Sequence, residues 1–163
     1  MRWLPLLFII VVIGISSLII ISKYHDSKNF LLIVLSLIYV AGLSVILFTP
    51  IASNGISIHI TTPGLGNVNK TRLYLHGLQF YENIILTIPI GMIFKKLVPQ
   101  LPIIVVGLLG VVLSTGFEVT QYYLSHYFLI NRSTDINDII ANTTGIIIGG
   151  VVMWLYTRYQ NRK

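Results

Sequence analysis

The chain has no cysteine, which excludes a disulfide framework, a Cys-ligated zinc site and a thiol nucleophile. Charge is also scarce. Asp, Glu, Lys and Arg make up 10% of the 163 residues, against about 25% in a soluble domain. So few charges cannot cover a water-facing surface, which excludes a soluble enzyme, a disordered tail and a free nucleic-acid binder. Acids are scarcest of all, five in total, and the net charge is +6. That excess needs no polyanionic partner, because basic residues of membrane proteins collect in cytoplasmic loops. What the chain does have is apolar length: 55% of it is hydrophobic and its mean hydropathy is +0.84. The fold class expected is all-α integral membrane, a bundle of about five transmembrane helices.

A helix needs about 20 apolar residues to cross a bilayer. Trp3 to Ser22 is long enough and uncharged, and no Ala precedes Ala41, so it reads as a retained span with no signal-peptidase site. Phe30 to Thr49 is a second span, stopped at Pro50. Residues 50 to 72 differ. Gly55, Pro63, Gly64, Gly66 and Asn67 punctuate turns, and Ile56, Ile58 and Ile60 alternate with polar residues, the pattern of an extended segment. Such backbone does not face lipid, where its polar groups would go unpaired. Further spans run from about Leu73 to Phe94, Ile103 to Ser125 and Asp138 to Thr157. The organisation expected is residues 1–78 as two spans plus an outward loop, 79–157 as a three-span core, and 158–163 as a basic cytoplasmic tail.

Five crossings put the two ends on opposite sides. Lys23, Lys28, Lys95, Lys96, Arg158, Arg162 and Lys163 fall on one side, and Arg2, Lys70, Arg72 and Arg132 on the other. The richer side is the cytoplasm, which places the C-terminus inside and the loops around residues 50–72 and 126–137 outside. Asp26 sits in a cytoplasmic loop. The remaining acids, Glu82, Glu118, Asp135 and Asp138, all fall toward the outer ends of spans. An ionisable group within a span costs several kcal/mol unless it is paired or hydrated, so these are site candidates. Helical spacing groups them. Ser114, Glu118, Gln121, Tyr122 and Ser125 form one stripe; Asp135, Asp138 and Asn142 a second, continued by Gly145 and Gly149; Gln79, Asn83, Thr87 and Gly91 a third. Small residues under the polar ones let the backbones approach. The pocket expected is outward-opening and lined by Asn83, Glu118, Gln121, Asp135, Asp138 and Asn142, with Arg132 as counter-ion or surface charge. Plainer roles stand beside these: Asp135 as a helix cap, Asp138 against the positive end of the helix dipole, Glu118 in a structural ion pair. The four His lack metal-ligand spacing.

Two runs resemble a known family. Asn83-Ile84-Ile85-Leu86-Thr87-Ile88-Pro89-Ile90-Gly91 is similar to the Asn, Pro, Gly segment of VanZ-like membrane proteins. The order Glu118-x-x-Gln121, then Arg132-x-x-Asp135-x-x-Asp138-x-x-x-Asn142-x-x-Gly145, with Gly149 beyond, is similar to the signature of the same family. The likeness covers about residues 79 to 150. Thr87-Ile88 stands where the family often has an aromatic before Pro89, and Asn131 where Gly often precedes the Arg. The resemblance implies a protein of the bacterial cytoplasmic membrane with an effect on susceptibility to teicoplanin, a glycopeptide that binds cell-wall precursors. It supplies no reaction.

Four readings follow. An accessory binding protein would recognise a lipid-linked or cationic group or a partner protein, with membrane lipid, a lipid-linked cell-wall precursor or a glycopeptide as partners. An intramembrane enzyme would act on a lipid-linked precursor, with Glu118, Asp135 and Asp138 as catalytic candidates, either holding a divalent cation or with Glu118 as general base, and with Arg132 on phosphate. A small transporter lacks the inverted repeat or paired broken helices of that class. A purely structural polar network needs no ligand. Binding falls to Asn83, Glu118, Gln121, Arg132, Asp135, Asp138 and Asn142, and packing to Pro89, Gly91, Gly145 and Gly149. No cofactor, resident metal or nucleic acid is expected.

Overall fold

The computed structural model describes residues 1–53 and 56–162. Gly55 of the turn-rich stretch and Lys163 of the basic tail lie outside the described residues. The elements are α1 (Leu4–Tyr24), α2 (Phe30–Phe48), β1 (Ile51–Ser53), β2 (Ile58–Ile60), β3 (Val68–Asn69), α3 (Leu78–Leu97), α4 (Ile103–Phe128), β4 (Thr134–Asp135) and α5 (Ile136–Gln160). Among the described residues, four helices are long and apolar enough to cross a membrane: α1, α2, α4 and α5. They fit a multi-pass membrane protein.

The third expected span, α3, is a helix but is not among the four. Gln79, Glu82, Asn83 and Lys95 give it too polar a composition. It also begins at Leu78 rather than near Leu73. Gly77, at φ +101, ends the preceding loop in a conformation no helix continues, and the Tyr74 amide is already committed, donating to Asn137 Oδ1 at 2.9 Å.

The described residues form two compact units. The first holds Met1–Gly66 and Gln121–Ser133. In it α1 packs on α2, and their remaining faces are open: Phe8, Leu18 and Leu31 are each about 70% exposed, a surface suited to lipid. β1 and β2 pair antiparallel, Ile51 against Ile60. The Ile56/Ile58/Ile60 alternation does signal extended backbone over β2, yet Ile58, His59 and Ile60 are all exposed. The pattern reported conformation, not burial. Ile130, by contrast, is fully buried and bridges to Gly64.

The second unit holds Asn67–Thr120 and the chain from Thr134 on. α3 and α5 lie backbone to backbone. A Cβ on Gly91 would overlap the Ile146 carbonyl, one on Gly145 the Ile84 carbonyl, and one on Gly149 the Ile88 carbonyl. The buried Thr87 hydroxyl crosses the seam to the Asn142 carbonyl at 2.9 Å. Pro89, mid-helix, removes the N–H that would meet the Ile85 carbonyl. α4 supports the other side of α5: Val106 is fully buried, and a Cβ on Gly110 would stand at ordinary contact distance from Ile146, 3.4 Å.

The seam makes a prediction. Gly149→Ala should destabilise by about 3 kcal/mol, since backbone on both sides cannot yield, and lower the detergent melting temperature by roughly 10 °C. Gly116→Ala, with nothing within 4 Å of the added methyl, should leave it unchanged. Equal melting of the two variants would refute the backbone seam.

Candidate functional site

The site in the second unit is assembled at the N-terminus of α5. Asp135 is the N-cap, with extended backbone and a carboxylate that accepts from the Asn137 amide at 2.8 Å. The same oxygen accepts from Asn137 Nδ2 at 2.7 Å and Asn69 Nδ2 at 2.9 Å, and the other takes the Tyr74 hydroxyl. Asn137, almost wholly buried, also donates to the Arg72 carbonyl at 2.9 Å. Asp135 and Asn137 thereby staple residues 69–74 to the start of α5, and the parallel β3–β4 pairing, Asn69 beside Asp135, holds the same register.

Glu118 reaches this end from α4. It is 3% exposed, and its Oε2 accepts from the Asp135 backbone amide at 2.7 Å. Asp138 stands in the first turn of α5 and accepts from Gln79 Nε2 at 2.8 Å. The positive end of the α5 dipole and its free amides favour negative charge at all three carboxylates. Asn142 follows one turn down. It is 2% exposed. Asn83 is half-buried on α3, one turn before Thr87.

Asn83, Glu118, Asp135, Asp138 and Asn142 thus belong to one unit. Gln121 and Arg132 belong to the other. Gln121, buried, donates to the Leu47 carbonyl at the end of α2, 3.0 Å away. Arg132 Nη1 donates to the Ile51 carbonyl at 2.9 Å, and its backbone N–H and C=O both engage the Ser125 hydroxyl. The departure at Asn131 has a conformational basis. Its φ is +58, the left-handed region that Gly, and next Asn, adopt most readily. Its side chain accepts from the Gly66 amide at 3.1 Å and donates to the Thr62 carbonyl at 2.9 Å.

Among the described residues, no three His, Asp or Glu side chains are placed to hold a metal ion. Sequence reasoning missed Asn69, Tyr74 and Asn137, and left Gln79 as a stripe member only. Asn137 carried a local signal, an amide two residues past a cap. Asn69 and Tyr74 carried none, because a loop has no periodicity to align them.

Two predictions follow. Asp135→Ala strips the cap and leaves buried donors unpaired, at a cost of about 3 kcal/mol in unfolding free energy, readable by denaturant titration in detergent. Tyr74 is the second. Its hydrogen bond to the Asp135 carboxylate, helped by desolvation, raises its pKa above the usual value. The folded chain keeps this proton where an unfolded one loses it. The associated stability is full below about pH 10 and is lost as pH climbs through the raised folded value. In an alkaline phenolate titration, Tyr74→Phe should remove a phenol that titrates later than an exposed tyrosine; removal of an early-titrating phenol would contradict the contact.

A family model described as VanZ/LLP1 matches residues 3–157. The match thus extends past the signature runs to include both N-terminal helices. No curated protein and no solved structure matches the chain. The match spans nearly the whole sequence, and with the Glu118, Asp135, Asp138 and Asn142 constellation it supports one conclusion: the chain belongs to the VanZ/LLP1 family.

Proposed function

We propose that the chain is a multi-pass protein of the bacterial cytoplasmic membrane. Its C-terminus is cytoplasmic, and its polar site at the N-terminus of α5 faces outward, where it reduces susceptibility to glycopeptides, teicoplanin in particular. The site would do so by engaging a lipid-linked cell-wall precursor or the glycopeptide itself. Membership of a family linked in general to glycopeptide resistance supports the reading. The observation that carries it is the gathering of Glu118, Asp135 and Asp138 at one helix end, with the buried Asn142 a turn below. In this reading α3 crosses with α5, its polar residues accommodated by the backbone seam, and the lysines at its end stay inside.

The roles divide. Asp135 positions the loop that shapes the site. Glu118, Asp138 and Asn142 meet the ligand, whose cationic or N–H-bearing groups suit carboxylates and an amide oxygen. A second reading, an intramembrane enzyme that modifies a lipid-linked precursor, is favoured by the burial of Glu118.

Glu118→Gln in a glycopeptide-susceptible host tests both. Teicoplanin tolerance should fall to that of the empty host while membrane abundance and detergent melting temperature hold. Loss of abundance along with tolerance would assign Glu118 to packing and sink the ligand role. Precursor profiles that differ between parent and variant would favour the enzyme, and identical profiles the binding protein.

A further inference from the structure

The opposite end of α5 carries a second site, of opposite sign. A half-open cavity of about 230 Å³ is lined by Lys95 from α3, Pro99 and Gln100 from the α3–α4 loop, and Trp154, Thr157, Arg158 and Asn161 from α5. That volume is below the ~300 Å³ at which drug-sized ligand sites begin, so the occupant is a small headgroup. Both charged residues in the lining are cations, and the other polar groups are amides and a hydroxyl.

The two cations are held differently. Lys95 is 6% exposed. Its ammonium donates to the Pro99 carbonyl at 2.6 Å and the Leu101 carbonyl at 2.7 Å. Two of its three N–H donors thus pin the loop, and one remains for a ligand. The Arg158 guanidinium lies over the Trp154 ring, 4.6 Å from its centroid. Stacking uses the face of the guanidinium and leaves its N–H edge available, the edge that pairs with phosphate. Among the described residues no acceptor takes those donors. α5 has 25 residues, about 37 Å of helix, more than the ~30 Å hydrocarbon core. Its C-terminal turns therefore reach the headgroup layer when its N-terminus reaches the other.

We propose that this cavity binds a phosphate group, supplied by the headgroup of an anionic phospholipid or as inorganic phosphate. A buried ammonium with a donor to spare, a stacked guanidinium, and Gln100 and Asn161 as neutral donors form a cradle for phosphate oxygens. The inference uses only the membrane placement of α5 and is independent of the glycopeptide reading.

Trp154 is its own reporter. The chain has two tryptophans, so Trp3→Phe leaves one. That protein is reconstituted into phosphatidylcholine vesicles containing bromine-labelled phosphatidylglycerol or, at equal bromine, labelled phosphatidylcholine. Trp154 emission should be quenched preferentially by the anionic lipid. Arg158→Gln, at an exposed position that leaves the Lys95 anchor intact, should reduce the preference about tenfold, the factor for one lost hydrogen bond between charged groups. Lys96→Gln, a neighbouring exposed cation outside the cavity, should leave it unchanged. Suppression of the preference by inorganic phosphate, or a phosphate-induced emission change in pure phosphatidylcholine that Arg158→Gln removes, would assign the site to phosphate from solution. Equal quenching by both lipids without a phosphate response overturns the proposal. Equal losses in Arg158→Gln and Lys96→Gln also overturn it, because general surface attraction would then suffice.

Discussion

The backbone contact between α3 and α5 is the constraint on which the second unit depends. α3 is too polar to be a self-sufficient membrane helix, yet its carbonyls at Ile84 and Ile88 lie directly on Gly145 and Gly149. In lipid, apolar side chains gain nothing by preferring one another to hydrocarbon tails, so association rests on close packing and interhelical hydrogen bonds. Glycine supplies the first, and the Thr87 hydroxyl on the Asn142 carbonyl the second. Any side chain at the seam would separate the helices and with them Gln79 from Asp138, whose hydrogen bond needs the two N-terminal turns side by side.

Above that seam, order passes to the polar residues. Asp135 accepts from two asparagines, a tyrosine and a backbone amide. One carboxylate thus caps a helix and anchors a loop that has too few apolar residues to pack on its own. With Asp135 so occupied, its backbone amide can present a fixed donor to Glu118, and Asp138 and Asn142 follow from the helical repeat. The site is therefore a set of acceptors, with Glu118 fixed on the Asp135 amide and Asp138 on the Gln79 side chain. α5 is also polarised along its length, with acids on its first turn and Arg158 on its last, each at the dipole end of opposite sign.

Much of this was legible without coordinates. Long apolar runs can only be helices in lipid, because only a helix satisfies its own backbone there, so α1, α2, α4 and α5 follow from composition and length. The 3.6-residue repeat aligned Asp138, Asn142, Gly145 and Gly149 on one face of α5, and Gln79, Asn83, Thr87 and Gly91 on one face of α3. What periodicity cannot convey is pairing between segments distant in sequence. Asn69 and Tyr74 lie some sixty residues from the aspartate they bond, and the Ile56/Ile58/Ile60 alternation, which did report extended backbone, did not foretell that β2 is exposed on both faces.

The sequence by itself determined the class of molecule, the helices and the small residues at which two of them meet, because desolvation of the backbone and helical geometry act locally and leave few alternatives. Tertiary structure alone decided the roles within the acidic set. Asp135 became a cap, Gln121 and Arg132 each came to donate to a carbonyl of the first unit, at Leu47 and Ile51, and Lys95 and Arg158, two charges in a count of basic residues, became the walls of one cavity. Those outcomes turn on which donor reaches which acceptor within about 3 Å, a distance set by how the segments pack and written in no single stretch of chain.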